Sequence, residues 1–241
     1  MNKIAQLQQI INTSQKIVFF TGAGVSCDSG IPDFRSQDGL YHMQYDYPPE
    51  TILSHTFFKN NPQEFFRFYR NKMIFPNAKP NFVHEFIAKL EHQGKCLGVI
   101  TQNIDGLHTK ANSNNVIEFH GSIYRNYCEK CHKFYPLDTI INSFDIPYCA
   151  CGGIIKPDVV LYEEPLSDKV IHDSIKLITS CDTLIVLGTS LTVYPAASLV
   201  RYFKGDKLVV INKEITPFDQ NADLVINDLF INILPKIKIA N

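Results

Sequence analysis

The chain has 241 residues, 45% of them hydrophobic and 20% charged, with a net charge of −1. That length suits one large α/β domain, or one domain with a smaller insert, and the apolar share is enough for a core. No basic block exceeds two residues, which speaks against a non-specific nucleic-acid binder, and no run of 18 apolar residues is present to span a membrane as a helix.

The opening MNKIAQLQQIINTSQK reads as an amphipathic helix with Ile4, Leu7 and Ile11 on one face. It lacks the basic start and cleavable apolar stretch of a signal peptide, so the expected location is the cytoplasm. Seven cysteines fit that setting as thiols, because a reducing compartment disfavours a disulfide framework. Cys27, Cys96 and Cys181 are scattered and expected to be free.

Residues 16–20, KIVFF, are short, apolar and ended by glycines, the pattern of a buried strand. GAGVSCDSGIPDFRS follows at 22–36. Gly22 and Gly24 match the start of a G-x-G-x-x-G phosphate turn, but the third glycine falls at Gly30. Two readings stand: a backbone approach to a pyrophosphate with amide groups facing it, or a tight turn with no ligand. A dehydrogenase would add an acidic residue about 20 residues on, at the end of a second strand. The stretch found there, YHMQYDYPPE, has no such strand. The turn therefore suits a nucleotide that does not deliver a hydride.

Residues 39–80 are rich in aromatics and broken by Pro48-Pro49, Pro62, Pro76 and Pro80. Pro62 suits the first turn of a helix reaching about Met73. Residues 81–92 have helical periodicity and stop at Gly94. Strand-like runs recur at 96–101, 115–120, 182–190, 207–212 and 222–227, with helical patterns between several of them. This alternation predicts an α/β fold with a doubly wound, mostly parallel, Rossmann-like sheet. The expected division gives residues 1–38, 81–121 and 156–241 to the Rossmann-like domain. A helical insert, 39–80, and a zinc-binding module, 122–155, form a smaller domain.

Polar residues gather where the predicted strands end, and open α/β sheets bind ligands there. In TQNIDGLH, Gln102, Asn103 and Asp105 suit a carboxamide or a ribose, or else an Asx-rich turn. EFHGS ends the next strand; His120 there is either a base that titrates near neutrality or a ring satisfied by the turn backbone. GTSL at 188–191 ends a third strand and Ile211-Asn212 a fourth.

Cys128-x-x-Cys131, seventeen residues and Cys149-x-Cys151 form two close pairs. They match tetrahedral thiolate ligation of one zinc ion, against unrelated thiols or disulfides, with His132 as the substitute if Cys149 cannot reach. Gly152-Gly153 would supply the sharp turn. Four protein ligands leave no open position, so such a zinc is structural.

Taken in order, GAGVSCDSGIPDFRS, TQNIDGLH, FHGS, the four cysteines, KPDVVLYEE and GTSLTVYPAASL resemble the sirtuins, NAD-dependent protein-lysine deacylases, in a short bacterial-type form. The resemblance spans nearly the whole chain. It implies a fold with a Rossmann-like domain and a zinc-ribbon plus helical module. It also implies NAD as co-substrate, cut at the nicotinamide–ribose bond. Gly22, Ala23 and Gly24 would form the phosphate turn with Cys27 beside it. Phe34 would shield the reacting ribose carbon, and Arg35 would fix phosphate and ribose. Gln102 would contact the nicotinamide ribose, and Asn103, Ile104 and Asp105 would hold the carboxamide. Gly188, Thr189, Ser190 and Asn212 would take the adenosine half. The acyl-lysine oxygen attacks the ribose as nicotinamide leaves, His120 acts as general base on the ribose hydroxyls, and water completes the release of free lysine and O-acyl-ADP-ribose. The acyl group thus ends on ADP-ribose.

By the same resemblance the protein partner is an acyl-lysine substrate, added as a strand between the VVLYEE loop, with Val160 and Tyr162, and the SLTVYP loop. No nucleic acid or membrane is expected. Many sirtuins have Gly where this chain has Glu163, whose side chain would crowd the substrate strand or favour basic peptides. Sirtuins that prefer succinyl or malonyl groups carry Tyr and Arg three residues apart on a pocket helix. Phe66 and Tyr69 occupy those positions here, which implies a neutral acyl group; a slip of one residue would put Arg70 at the Arg position. The alternative activity is mono-ADP-ribosyl transfer, and the alternative class is a non-enzymatic zinc-ribbon binding module.

Overall fold

Strands without a polar face must be covered on both sides, as in a parallel sheet between helices. The computed structural model describes residues 2–33 and 47–239, and these contain nine strands in chain order: β1 (Ile17–Thr21), β2 (Cys96–Thr101), β3 (Val116–Glu118), β4 (Gly121–Cys128), β5 (Phe134–Tyr135), β6 (Ile155–Val159), β7 (Thr183–Leu187), β8 (Lys207–Ile211) and β9 (Leu224–Ile226). Six of them form one sheet in the order β3-β2-β1-β7-β8-β9, and every neighbouring pair is parallel. The strand order reverses between β1 and β7. That is the switch point at which a crevice opens beyond the strand ends.

Successive residues feed opposite faces of this sheet. Ile17, Phe19, Val99, Ile185 and Val209 enter one core with Leu7, Ile11, Ile87 and Phe230. Val18, Phe20, Ile100, Leu184 and Val210 enter the other with Ile178, Leu199 and Val200. The helix α1 (Lys3–Thr13) is capped by the Asn2 side chain on Ile4 N at 3.0 Å and buries Leu7 and Ile11.

The aromatic, proline-broken segment folds as three short helices, α2 (Pro49–Ile52), α3 (His55–Asn60) and α4 (Pro62–Lys72). Pro62 opens α4, where its missing N–H costs no bond. The helix α5 (Phe82–His92) starts on Asn81, whose side-chain Oδ1 accepts from Val83 N at 2.9 Å. Short α6 (Leu107–Lys110) and α7 (Leu137–Ile141) follow, then α8 (Asp168–Ser180) over the second face and α9 (Phe230–Ile233) near the end.

The remaining strands make an antiparallel sheet in the order β5-β4-β6. It shares a third core with the proline-broken segment: Phe57, Phe58, Phe65, Phe66 and Tyr69 pack with Ile123, Leu137, Ile140, Ile155 and Leu161. The rings meet mostly edge to face, as for Phe58 and Phe65 at 4.9 Å between centroids. Among the described residues no helix is long and apolar enough to cross a membrane.

Candidate active site at the strand ends

The turn after β1 forms no regular α-helix. Ala23–Ser29 is a 3₁₀ stretch that ends at Gly30 with φ 81°, a left-handed backbone suited to glycine. Gly22 and Gly24 face the end of β7. A Cβ on Gly24 would lie 2.8 Å from Gly188 Cα, and a Cβ on Gly188 would lie 2.7 Å from Val25 N. A Cβ on Gly22 would lie 2.6 Å from Thr189 Cβ. Gly24 N donates to Gly188 O at 2.9 Å across this contact. The glycines are therefore required by backbone meeting backbone at the switch point, whatever ligand sits above them.

The loop after β2 locks onto that turn. Asn103, buried, donates from Nδ2 to Gly22 O at 3.1 Å and to Ser26 Oγ at 3.0 Å. The Ser26 hydroxyl donates to Asp105 Oδ2 at 2.6 Å, and Asp105 Oδ1 accepts from Leu107 N at 2.9 Å. Burial pushes the Asp105 carboxyl up from its ordinary value, and the two hydrogen bonds oppose that shift. Ser26 was not legible in the sequence, where its signal was only a small hydroxyl inside the glycine turn. Gln102 reaches across the crevice, donating from Nε2 to Thr189 Oγ1 at 2.9 Å.

Behind the turn lies a second layer that the sequence did not point to. Asn81 donates from Nδ2 to Val25 O at 2.8 Å and Ser29 Oγ at 2.9 Å. His84 pairs with Asn81 and packs edge to face on His108, whose Nε2 meets Thr21 Oγ1 at 3.0 Å.

His120 follows β3. Its Nδ1 lies 3.0 Å from Gln102 O. A carbonyl only accepts, so Nδ1 carries the proton and Nε2 is left as the basic nitrogen. Among the described residues Nε2 has no hydrogen-bond partner. Burial pushes the ring's pKa down, partly offset by the Gln102 bond, which keeps the imidazole neutral. Gly121 next to it has φ 82°, and a Cβ there would sit 1.9 Å from Asp158 O. His120 O accepts from Val160 N at 3.0 Å, which ties the ring's backbone to the loop after β6.

That loop is held by carboxylates. Tyr162, partly exposed, exchanges backbone bonds with Leu53 O at 3.0 Å and His55 N at 2.9 Å. Glu163 has φ 75° and its Oε2 accepts from Thr56 N at 2.8 Å, so its carboxylate is turned onto the start of α3. Glu164 meets His55 Nδ1 at 2.8 Å and Lys156 Nζ at 2.9 Å.

The other expected contacts are distributed as follows. Cys27 is exposed, with its thiol pushed up to about 11 by burial of the sulfur and the nearby Asp33. Ile104 packs into the third core, and its carbonyl accepts from Ile123 N at 3.0 Å. Ser190 Oγ lies 2.8 Å from Thr192 Oγ1, and Asn212 Nδ2 donates to Glu214 O at 2.8 Å beyond β8. Phe66 and Tyr69 are wholly buried on α4. Phe34 and Arg35 lie outside the described residues.

Far from this crevice, the sulfurs of Cys128, Cys131, Cys149 and Cys151 lie within 4.8 Å of one another. Three of the separations are 3.4, 3.4 and 3.6 Å. A tetrahedral zinc with Zn–S of about 2.3 Å spaces its sulfurs about 3.8 Å apart, so the donor set fits that ion. Cys149 reaches the cluster, and His132 is not part of it. Gly152 takes φ 80°, and a Cβ on Gly153 would lie 2.6 Å from Cys128 Sγ, so the two glycines serve different needs. Tyr135 adds an O–H donor to Cys149 Sγ at 3.1 Å.

The Sir2 family model matches residues 22–195. A protein of Clostridium acetobutylicum named NAD-dependent protein deacetylase is 57% identical over 241 residues, covering 98% of each chain. One of Clostridium perfringens with the same name is 55% identical over 240 residues, again covering 98% of each. A solved Sir2 variant with deacetylated p53 peptide and 3′-O-acetyl-ADP-ribose has a TM-score of 0.89 at 40% identity, covering 97% of this chain and 96% of its own. Sir2 with a p53 peptide and NAD+ has a TM-score of 0.86 at 40% identity, with the same coverage. The family match runs from the glycine turn to beyond the end of β7, the two segments whose backbones meet at the switch point, and the chain belongs to the Sir2 family.

Proposed function

We propose that this chain is an NAD-dependent protein-lysine deacetylase that releases nicotinamide and O-acetyl-ADP-ribose and carries one structural zinc ion. The observation that supports it most directly is the His120–Gln102 bond, which leaves a neutral ring with Nε2 unprotonated beside the crevice. NAD supplies a ribose carbon that becomes electrophilic as nicotinamide departs. Gly22, Ala23 and Gly24 would hold its pyrophosphate through backbone amides at the turn after β1. Asn103 and Asp105, braced by Ser26, would orient the carboxamide with Ile104 beside them, and Gln102 would meet the ribose. Gly188, Thr189, Ser190 and Asn212 would take the adenosine half, with Cys27 at the turn. Phe34 and Arg35 would cover the reacting ribose and exclude water. His120 removes the ribose hydroxyl proton at Nε2.

The peptide would enter as a strand between the Val160–Tyr162 loop and the loop after β7, held mainly by backbone bonds. Phe66 and Tyr69 would border a neutral acyl group. Zinc on Cys128, Cys131, Cys149 and Cys151 would tie β4 to the 149–151 turn and take no part in the chemistry. The shared core of α2–α4 and the antiparallel sheet supports a small domain built from residues 39–80 and 122–155. Seven cysteines with no disulfide among them suit a reducing cytoplasm. The relatives' names favour acyl removal over ADP-ribosyl transfer. Mass spectrometry of products from NAD and an acetyl-lysine peptide tests this. Free lysine, nicotinamide and O-acetyl-ADP-ribose are expected; ADP-ribose on protein with the acetyl group retained would overturn it.

A further inference from the structure

The geometry points to Arg125 as a positioning residue that sets His120 and the 103–106 loop in one frame; the inference rests on the deacetylase reading above. Arg125 lies in an irregularity of β4. Ser122 pairs with Asp158 and Asn126 with Pro157, so residues 123–125 stand opposite a single step of β6. Such bulges re-aim side chains beside active sites. Each of the three extra residues makes a different contact. Ile123 N donates to Ile104 O at 3.0 Å. The Tyr124 ring lies against Gly106, where a Cβ would come 2.8 Å from Cε2. Arg125 turns the other way, with Nη1 2.5 Å from Glu118 Oε2 and Nε 2.7 Å from Asp158 Oδ2.

These partners explain why the clamp bears on the reaction. Glu118 ends β3 and pairs with Thr101 at the end of β2, the strand that delivers Gln102 and Asn103. Two residues after Glu118 comes His120. Asp158 belongs to β6, whose continuation at Val160 donates to His120 O. The guanidinium thus joins an edge strand of the parallel sheet to both long strands of the antiparallel one, around the segment that carries the base. With the fork removed, two carboxylates lose their shared cation, and the bulge loses its anchor to β3.

The Arg125 side chain is 39% exposed, and ion pairs of a solvent-reached guanidinium add little to stability, so the contribution of Arg125 should appear in geometry and not in folding. The test compares wild type, Arg125→Met and Arg125→Lys for kcat, for KM of NAD and of acetyl-lysine peptide, for Tm and for bound zinc. Arg125→Met should lower kcat about tenfold, the scale of a small misplacement of reacting groups, with KM for NAD, Tm and zinc content near wild type. Arg125→Lys should recover much of the loss, since an ammonium reaches one carboxylate at a time. Glu118→Gln should lower kcat in the same sense, which keeps the test open if Arg125→Met folds poorly. Unchanged kcat in Arg125→Met and Glu118→Gln would overturn the proposal. So would a loss of kcat that tracks Tm or zinc and is not recovered by Lys. Wild type that fails to deacetylate would instead defeat the underlying activity.

Discussion

Glu163 accepts the Thr56 amide at 2.8 Å while its own backbone sits at φ 75°, a region that an L residue enters at a cost. The carboxylate caps α3 and offsets the strain of its own backbone. Glu163→Gly should relieve the strain and lose the cap, leaving Tm close to wild type. Glu163→Ala keeps the strain and loses the cap, so its Tm should be the lowest of the three by a few degrees. Thermal unfolding with Ala equal to or above Gly would contradict this account.

His120 should govern the acid limb of the rate profile. The base must be unprotonated, and burial lowers its pKa, so activity should persist below about pH 6.5, the ordinary histidine value, and fall as the pH drops through the lowered pKa. His120→Ala should cost at least ~10²-fold in kcat while NAD still binds. A limb in kcat/KM at or above that ordinary value would remove His120 as the titrating group.

His84 and His108 should make folding sensitive to acid. Burial holds His84 down to about 4 and His108 well below its ordinary value. Above about pH 6.5 both folded and unfolded chains keep these rings neutral. From there to about pH 4 the unfolded chain binds protons that the folded chain excludes. Stability therefore falls with pH across that window, by up to about 1.4 kcal/mol per pH unit for each ring. Urea unfolding at several pH values should show this slope, and His84→Gln should flatten it. Equal slopes in the two proteins would show that His84 is not the group responsible.

Metal analysis should find about one zinc per chain, as a closed four-thiolate site requires. Cys131→Ser should lose the ion, lower Tm and abolish activity. Tyr135→Phe removes the phenol that donates to Cys149 and should weaken zinc affinity roughly tenfold, as outer hydrogen bonds to metal ligands commonly do. Full zinc retention against a competing chelator in Tyr135→Phe would show that this bond does not tune the site.

Acetyl-lysine should be preferred to succinyl-lysine by tenfold or more in kcat/KM. Phe66 and Tyr69 are buried and uncharged, and burial pushes the Tyr69 phenol above its ordinary value, so neither neutralises a carboxylate. Arg70 is turned to the 140–145 segment, bonding Ile140 O at 2.8 Å, Ser143 Oγ at 2.6 Å and Asp145 O. Arg70→Met should then leave the acetyl-to-succinyl ratio as it was. A succinyl preference that disappears in Arg70→Met would place that guanidinium in the acyl pocket.

The six parallel strands were legible because each is a short apolar run bounded by turn residues, and their alternation with helices dictates a parallel sheet. The cysteine cluster was legible because its pairs are close in sequence and thiolates at that spacing have few other uses. Ser26, Asn81, His84, His108 and Arg125 were not. Their partners lie on other elements, and a serine in a turn or an arginine in a strand carries no local sign of what it will meet. The turn glycines were read as either a pyrophosphate approach or a tight turn with no ligand, and their contact with Gly188 required knowing that β7 lies beside β1.

The Gly24–Gly188 contact also bears on the order of assembly. The turn is synthesised before its partner, which is made only after the cysteine cluster and α8 have emerged. Until β7 docks, Gly24 N has no Gly188 carbonyl to meet and the turn has no wall to lean on. A nascent or truncated chain ending before Gly188 thus holds the nucleotide motif without its shape, and the crevice closes only when the two halves of the sheet join.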